Sequence, residues 1–217
     1  MSIITETSPK SVIIGRSEVP VSWDFRSLMQ IESMLLDQSV EGKVRVYNVL
    51  VWFYGQERTD GYILRSPALL NEAVERLLWF YRCGEDEVVR KKASREPKRV
   101  YDFTTDAKLI YAAFLTQYHI DLGAVKHMHW WKFRSLFEAL KGTTFNEVMR
   151  CRAVKVNAKT PKDQKEYYRR MKELYPLPDS KRAGRENDAL VEALLSGDVE
   201  AIEKAKRGVG NGSGDQG

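Results

Sequence analysis

The sequence has few cysteines and no long apolar run, and each shortage excludes a class of protein. Its two cysteines, Cys83 and Cys151, lie outside any paired spacing, so neither a disulfide framework nor a CxxC metal site is predicted. No uninterrupted apolar stretch approaches the roughly 20 residues that a membrane-spanning helix needs. The first ten residues also lack the basic start and apolar stretch of a secretory signal. We therefore expect a cytoplasmic protein without a membrane partner.

Positive and negative charges balance over most of the chain, and an excess of positive charge is concentrated near its C-terminal end. The 217 residues carry a net charge of +5, and 43% of them are hydrophobic, enough for a folded core. Residues 1–149 are almost neutral, whereas residues 150–185 hold 12 Lys and Arg against 4 Asp and Glu. Residues 186–217 reverse the sign, with 3 against 7. The basic stretch is suited to nucleic acid, to an acidic protein surface, or to the acidic segment that follows it.

Apolar residues recur at intervals of three and four, which predicts an all-α fold, a single compact multi-helix domain. We identify no alternating strand pairs with a hairpin turn. The polar stretch 56–61, QERTDG, is predicted to be a loop, and Thr144 to Glu147 a capping box. The predicted helices cover residues 23–37, 47–54, 67–81, 103–118, 130–140, a short segment from 144, and 161–175.

Changes in composition and the positions of turn-forming residues predict the domain organisation. Residues 1–19 form an N-terminal extension, and residues 20–180 form the helical domain, interrupted by a charged linker at 84–99. Residues 181–207 are a small appendage, predicted to be a helical hairpin. The tail 208–217 contains five glycines and is predicted to be disordered.

No catalytic or metal-binding constellation stands out, and we predict neither an enzyme nor a cofactor. His127 and His129 lie two apart, so on a helix they point to different sides, and no acidic or cysteine ligand completes a set. We interpret them as cap or packing residues. Cys151 lies between two arginines, which would lower the pKa of a thiol, but no base lies nearby in sequence and a buried thiol is favoured.

A cluster of cations and aromatic residues offers a nucleic-acid alternative. Cations surround Tyr167 and Tyr168, a combination that phosphates and unstacked bases bind. Tyr167, Met171 and Leu174 also fit one amphipathic stripe, so a core role for them is the default interpretation. The cations of this patch are Lys162, Lys165, Arg169, Arg170 and Lys172.

One ordered series of motifs resembles a known family. It reads Tyr101-Asp102-Phe103, Ile110-Tyr111-Ala112-Ala113-Phe114, Tyr118, Ile120-Asp121-Leu122, then His129-Trp130-Trp131-Lys132-Phe133-Arg134 with Leu136-Phe137. These residues resemble the bacteriophage gene-product-fifteen family, and the likeness covers roughly residues 20–180. The charged linker before Tyr101 also has a counterpart there.

The resemblance implies a tail assembly chaperone of long-tailed phages. Such a protein binds the tape measure protein and keeps it soluble while tail tube subunits polymerise around it. The implied partners are therefore the tape measure protein and the tail tube protein. The resemblance leaves open whether the protein also forms a homo-oligomer. The implied location is the host bacterial cytoplasm, with no place in the mature virion. Some chaperones of this class have a short and a frameshifted long form, and the change of character after Asp179 leaves such an extension open. A structural tail component is the alternative function.

A chaperone for a helical chain needs grooves lined by aromatic and methionine side chains. Trp130, Phe133 and Phe137 fall on one stripe and are predicted core residues. Trp131 turns about 100° away from Trp130, which predicts an exposed ring beside Arg134. The predicted partner-binding residues are Trp131, Arg134, Tyr101 and Met128.

Overall fold

A computed structural model describes residues 5–37, 40, 42–85, 99–158 and 160–177 of the chain. Its contacts separate into two compact units, which are described in turn. Unit 1 contains residues up to 85 and the segment 127–133, and unit 2 contains residues 99–126 and 134–177. Most of the predicted linker, the appendage and the glycine tail lie outside the described residues.

Unit 1 begins with a β-hairpin. Strands β1 (Ser11–Ile14) and β2 (Ser17–Pro20) pair antiparallel, and Ile14 lies opposite Ser17 across the turn. Gly15 begins the turn with φ +61, a conformation that glycine adopts without strain. Val12, Ile14 and Val19 are buried and pin the hairpin to the unit. The prediction that the chain has no strand hairpin is therefore wrong.

Four α-helices and one 3-10 turn follow in unit 1. They are α1 (Phe25–Leu36), α2 (Gly42–Tyr54), α3 (Gln56–Gly61), the 3-10 turn Ile63–Arg65 and α4 (Pro67–Tyr81). Ser66 caps α4 by accepting from the backbone N–H of Leu69, and Pro67 is its first residue, as predicted. The predicted loop at 56–61 is wrong, because those residues form α3. Thr59 donates its hydroxyl to the carbonyl of Gly55, which also accepts from the backbone N–H of Thr59.

The core of unit 1 is aromatic. Phe53 packs edge-on against Phe80 with 5.3 Å between ring centroids, and Phe25 stacks on Phe133 at 4.9 Å. All four rings are buried. Because Phe133 is a late residue, the segment 127–133 completes a core that α1 to α4 begin.

Unit 2 contains the remaining helices of the described residues. They are α5 (Ala107–Tyr118), α6 (Trp130–Glu138, whose first four residues belong to unit 1), α7 (Thr144–Ala153) and α8 (Lys162–Leu174). Helix α7 packs on both α5 and α8. The capping box of α7 joins Thr143 and Asn146, one residue earlier than predicted. Phe137 contacts Tyr101, Phe103 and Phe145 and is the centre of the aromatic core.

The described residues are mostly helical, with one short two-stranded sheet, and this confirms the all-α prediction. Within the same residues, no helix has the length and apolar character to cross a bilayer.

Candidate functional site

Trp131 is buried, so the prediction of an exposed ring is wrong. Its indole N–H donates to the carbonyl of Phe80 at 2.8 Å, and 3% of the residue is exposed. The ring packs edge-on against Trp79, and Gly84 approaches it so closely that a Cβ there would lie 3.0 Å from Cη2. The end of α4 covers the side of α6 that periodicity assigns to solvent.

Trp130 and Met128, which precede this position, are also buried. Trp130 is fully buried, as predicted, and its indole N–H donates to the carbonyl of Tyr81 at 2.8 Å. Met128, a predicted partner-binding residue, is also buried, and its backbone pairs with the side chain of Asp24 and the N–H of Phe25. Neither Met128 nor Trp131 presents a surface in this conformation.

The other two predicted partner-binding residues lie together in unit 2. Arg134 donates to the Tyr101 hydroxyl at 3.0 Å and forms a 2.5 Å ion pair with Glu138. Its guanidinium also lies over the ring of Phe137, at 5.7 Å from the centroid. Only 18% of the Arg134 side chain is exposed, so the residue packs mainly against the aromatic core of unit 2. Partner binding by these residues stays a prediction.

The histidines fill packing positions. His129 stacks on Trp23 with 5.9 Å between centroids, and its Nε2 lies 2.7 Å from the carbonyl of Pro9. Burial lowers the pKa of His129, so its ring is neutral at physiological pH. Residues 5–85 and 99–177, apart from the undescribed positions among them, contain no group of three potential metal ligands.

Cys151 is a buried thiol held by an acidic neighbour. Its Sγ lies 3.5 Å from a carboxylate oxygen of Glu147, which also accepts from the Tyr167 hydroxyl at 2.8 Å. Arg150 forms two further hydrogen bonds to Glu147, and these bonds lower the pKa of that carboxyl to about 2. Burial, the larger effect, raises the pKa of Cys151, against the sequence argument from its flanking arginines. The cluster joins α7 to α8.

Helix α8 has no buried residue, so the expected core role of its apolar stripe is wrong. Leu174 is 60% exposed, Tyr167 is 43% exposed and Met171 is half-buried. Four cations of the basic patch recur at three- and four-residue spacing on another face of the helix, namely Lys162, Lys165, Arg169 and Lys172, and Arg170 lies between the two faces. Lys162, Arg169 and Arg170 are exposed. Nucleic-acid binding by these cations stays a prediction.

An exposed apolar face on α5 was missed by sequence reasoning. The helix buries Ile110, Ala113 and Phe114 on one side. On the other side Tyr111, Ala112 and Leu115 are exposed, beside the polar residues Lys108 and Thr116. The available signal was that Tyr111 and Leu115 are large apolar residues outside the stripe that Ile110 and Phe114 form. We call Tyr111, Ala112 and Leu115 the α5 face.

Comparison with known proteins identifies the family. The model of the family described as Bacteriophage Gp15 protein matches residues 4–177. This is most of the chain, and the protein belongs to that family; it is a phage protein. Searches of curated proteins and of solved structures found no match.

Proposed function

We propose that this phage protein is a tail assembly chaperone that binds the tape measure protein and keeps it soluble while the tail tube forms. Membership of the Gp15 family is the observation that carries the proposal. The function is non-enzymatic and is exercised in the host cytoplasm. Its partners are the tape measure protein and, during polymerisation, the tail tube protein.

The α5 face supports this proposal physically. A 12-residue helix is about 18 Å long, enough to lie along three turns of a partner helix. Tyr111 and Leu115 stand one turn apart on this side of the helix, with the small side chain of Ala112 beside them. An amphipathic helix with apolar residues at i, i+3, i+4 and i+7 fits such a face. The two exposed side chains replace the buried Trp131 and Met128 as the proposed contacts.

Hydrogen bonding adds rigidity at one edge of this face. Asp121 accepts from the backbone N–H groups of Gly123 and Ala124, at 2.8 and 3.2 Å. Its carboxylate also bonds the Tyr111 hydroxyl, which raises the pKa of that phenol. A ring held in one position loses little side-chain entropy on binding, as is typical of interface tyrosines.

Co-expression with the tape measure protein tests the proposal. The wild-type chain is expected to keep the tape measure protein in the soluble fraction, in one complex by size exclusion with light scattering at low and high salt. Leu115→Glu is expected to abolish that complex, because it places a charge in an apolar contact. The matched control is Leu174→Glu, which makes the same change at an exposed leucine of α8 and is expected to leave the complex intact.

Three results would count against the proposal. The first is a tape measure protein that stays insoluble when it is co-expressed with the wild-type chain. The second is elution of this chain with nucleic acid that salt removes, which favours the basic patch. The third is copurification of this chain with finished virions, which favours a structural tail component. Circular dichroism of both leucine variants separates lost binding from lost folding.

A further inference from the structure

The first strand of the β-hairpin in unit 1 has an open outer edge. Val21 donates its N–H to the carbonyl of Lys10 at 3.0 Å, so these residues form a hydrogen-bonded pair. Hydrogen-bonded and non-hydrogen-bonded pairs alternate along an antiparallel ladder, which places Ser11 and Ile13 in non-hydrogen-bonded pairs. Their N–H and C=O groups therefore point away from β2, and among the described residues no backbone group is bonded to them there.

The two edges of the hairpin differ in their protection against pairing. On β2 the outward positions are Glu18, which is exposed and charged, and Pro20, which has no N–H to donate. Both features discourage the addition of a further strand. Strand β1 has neither a charged residue nor a proline, and its Ile13 is 51% exposed. The edge of β1 is therefore the one that can accept another strand.

A groove runs beside the open edge of β1. It has a volume of about 360 Å³ and is lined by Pro9, Ser11, Val12 and Ile13 at the strand and by Arg76 and Trp79 of α4. Arg76 and Trp79 are three residues apart, so they lie on one face of α4. Side chains of an added strand point alternately to its two faces, so every second one faces this groove.

The groove carries charge of one sign. The described residues that line it include one cation, Arg76, and no carboxylate. An Arg76 nitrogen lies 3.9 Å from an oxygen of Glu72, beyond hydrogen-bonding distance, and the other Glu72 oxygen accepts from the N–H of Gly15 at 2.7 Å. The Arg76 side chain is 45% exposed. Its guanidinium can therefore bind a further carboxylate through two parallel hydrogen bonds.

We propose that β1 and this groove bind an extended, acidic segment of a partner protein, which adds a third strand to the hairpin. Its backbone pairs with Ser11 and Ile13. On the face towards the groove, an apolar side chain covers Trp79 and an Asp or Glu binds Arg76. Because both face one side of the strand, the two partner residues are two positions apart, in a stretch without proline. The inference involves unit 1 alone and does not depend on the chaperone role.

A library of random heptapeptides selected against the full chain tests the preference. A heptapeptide exceeds the length of β1, which is about 14 Å. The expected peptides carry an apolar and an acidic residue two positions apart. Arg76→Gln is expected to weaken their binding about tenfold or more. A peptide whose acid is replaced by its amide is expected to bind the wild type and Arg76→Gln equally.

Backbone changes separate strand addition from simple groove binding. Ser11→Pro removes an outward N–H of β1 and is expected to abolish peptide binding. Glu18→Pro makes the same change on the outer edge of β2 and is expected to leave binding intact. The two variants are matched because each also loses the hydrogen bond between the Ser11 hydroxyl and Glu18. Circular dichroism of both variants checks that the fold is kept.

Four results would overturn the proposal. The first is equal peptide binding by wild type and Ser11→Pro, and the second is binding that Arg76→Gln leaves unchanged. The third is a dimer, seen by light scattering, that Ser11→Pro dissociates and Glu18→Pro does not, because it assigns the edge to a second copy. The fourth is a selection without enrichment over Ser11→Pro. Slow hydrogen exchange at the Ile13 amide of the monomer would then assign the edge to another segment of the same chain.

Discussion

Arg152 and Asp106 form a bidentate ion pair that is almost completely removed from solvent. The two nitrogen–oxygen distances are 2.6 and 2.9 Å, and 5% and 2% of the side chains are exposed. Arg152 also donates to the backbone carbonyls of Val100 and Tyr175, each at 3.0 Å. One guanidinium thus fastens the entry to α5, the end of α7 and the end of α8 within unit 2.

Removing one member of this pair is expected to destabilise the protein strongly. Arg152→Met leaves Asp106 buried without its partner, which costs about 3–5 kcal/mol in the free energy of unfolding. Urea denaturation followed by circular dichroism measures the loss. The double variant Asp106→Leu/Arg152→Met is expected to recover most of it, since no charge is then left buried. A double variant as unstable as the single one would show that the carbonyl contacts of Arg152 dominate.

Trp131→Ala is expected to act on stability before it acts on any partner. The lost packing and the lost indole hydrogen bond together cost roughly 3–5 kcal/mol, although the Phe80 carbonyl still accepts from the backbone N–H of Cys83. Trp52→Ala is the control, because that ring is 44% exposed, and a change within about 1 kcal/mol is expected there. Chemical denaturation of both variants gives the comparison. Equal stability of the two would mean that the Trp131 ring is accessible in solution.

The two glycine positions Gly84 and Gly61 are expected to respond in opposite directions to alanine. Gly84 has φ +82, and its new Cβ would press on the Trp131 ring, so Gly84→Ala costs roughly 1–3 kcal/mol. At Gly61 nothing lies within 4 Å of the point that a Cβ would occupy and φ is ordinary, so alanine stabilises by about 0.4–1 kcal/mol. Thermal unfolding midpoints report both signs. A stabilising Gly84→Ala would contradict the packing described at the end of α4.

The Glu147 cluster predicts a pH-dependent contribution to stability. Hydrogen bonds from Arg150 and Tyr167 hold the folded pKa of Glu147 at about 2, below its ordinary value of 4.5. A depressed folded pKa means stabilisation that is fully present above 4.5 and is lost as the pH falls towards 2. The stability difference between wild type and Glu147→Gln should therefore shrink across that window. A difference that is constant with pH would assign the role of Glu147 to packing alone.

Short-range sequence signals predicted α4 correctly but missed α3, the short polar helix before it. Ser66, Pro67 and the apolar stripe of α4 act within a few residues of one another, and the sequence records them directly. Helix α3 has six mostly polar residues and no apolar period, so its formation depends on its position in the fold, where Thr59 is buried. Propensity carries little information for a helix of that length.

The sequence prediction missed the hairpin and the buried Arg152 for different reasons. Buried Val12, Ile14 and Val19 alternate with exposed residues around Gly15, so a period of two was present but weak over four-residue strands. Arg152 carried no signal, because burial of an arginine depends on a carboxylate that lies 46 residues away in sequence. The exposure of Trp131 was misjudged because periodicity identifies one packed face of a helix and gives no information on a second.

The indole N–H groups of Trp130 and Trp131 donate to carbonyls at the end of α4 from a point about fifty residues later in the chain. On the ribosome, a nascent chain that has reached only residue 90 contains all of α4 but neither of these donors, nor Phe133 for its aromatic core. Residues 99–126 of unit 2 are therefore synthesised before unit 1 can close. The order of translation and the order of completion differ, because the aromatic core of unit 1 is completed only after the segment 127–133 has emerged.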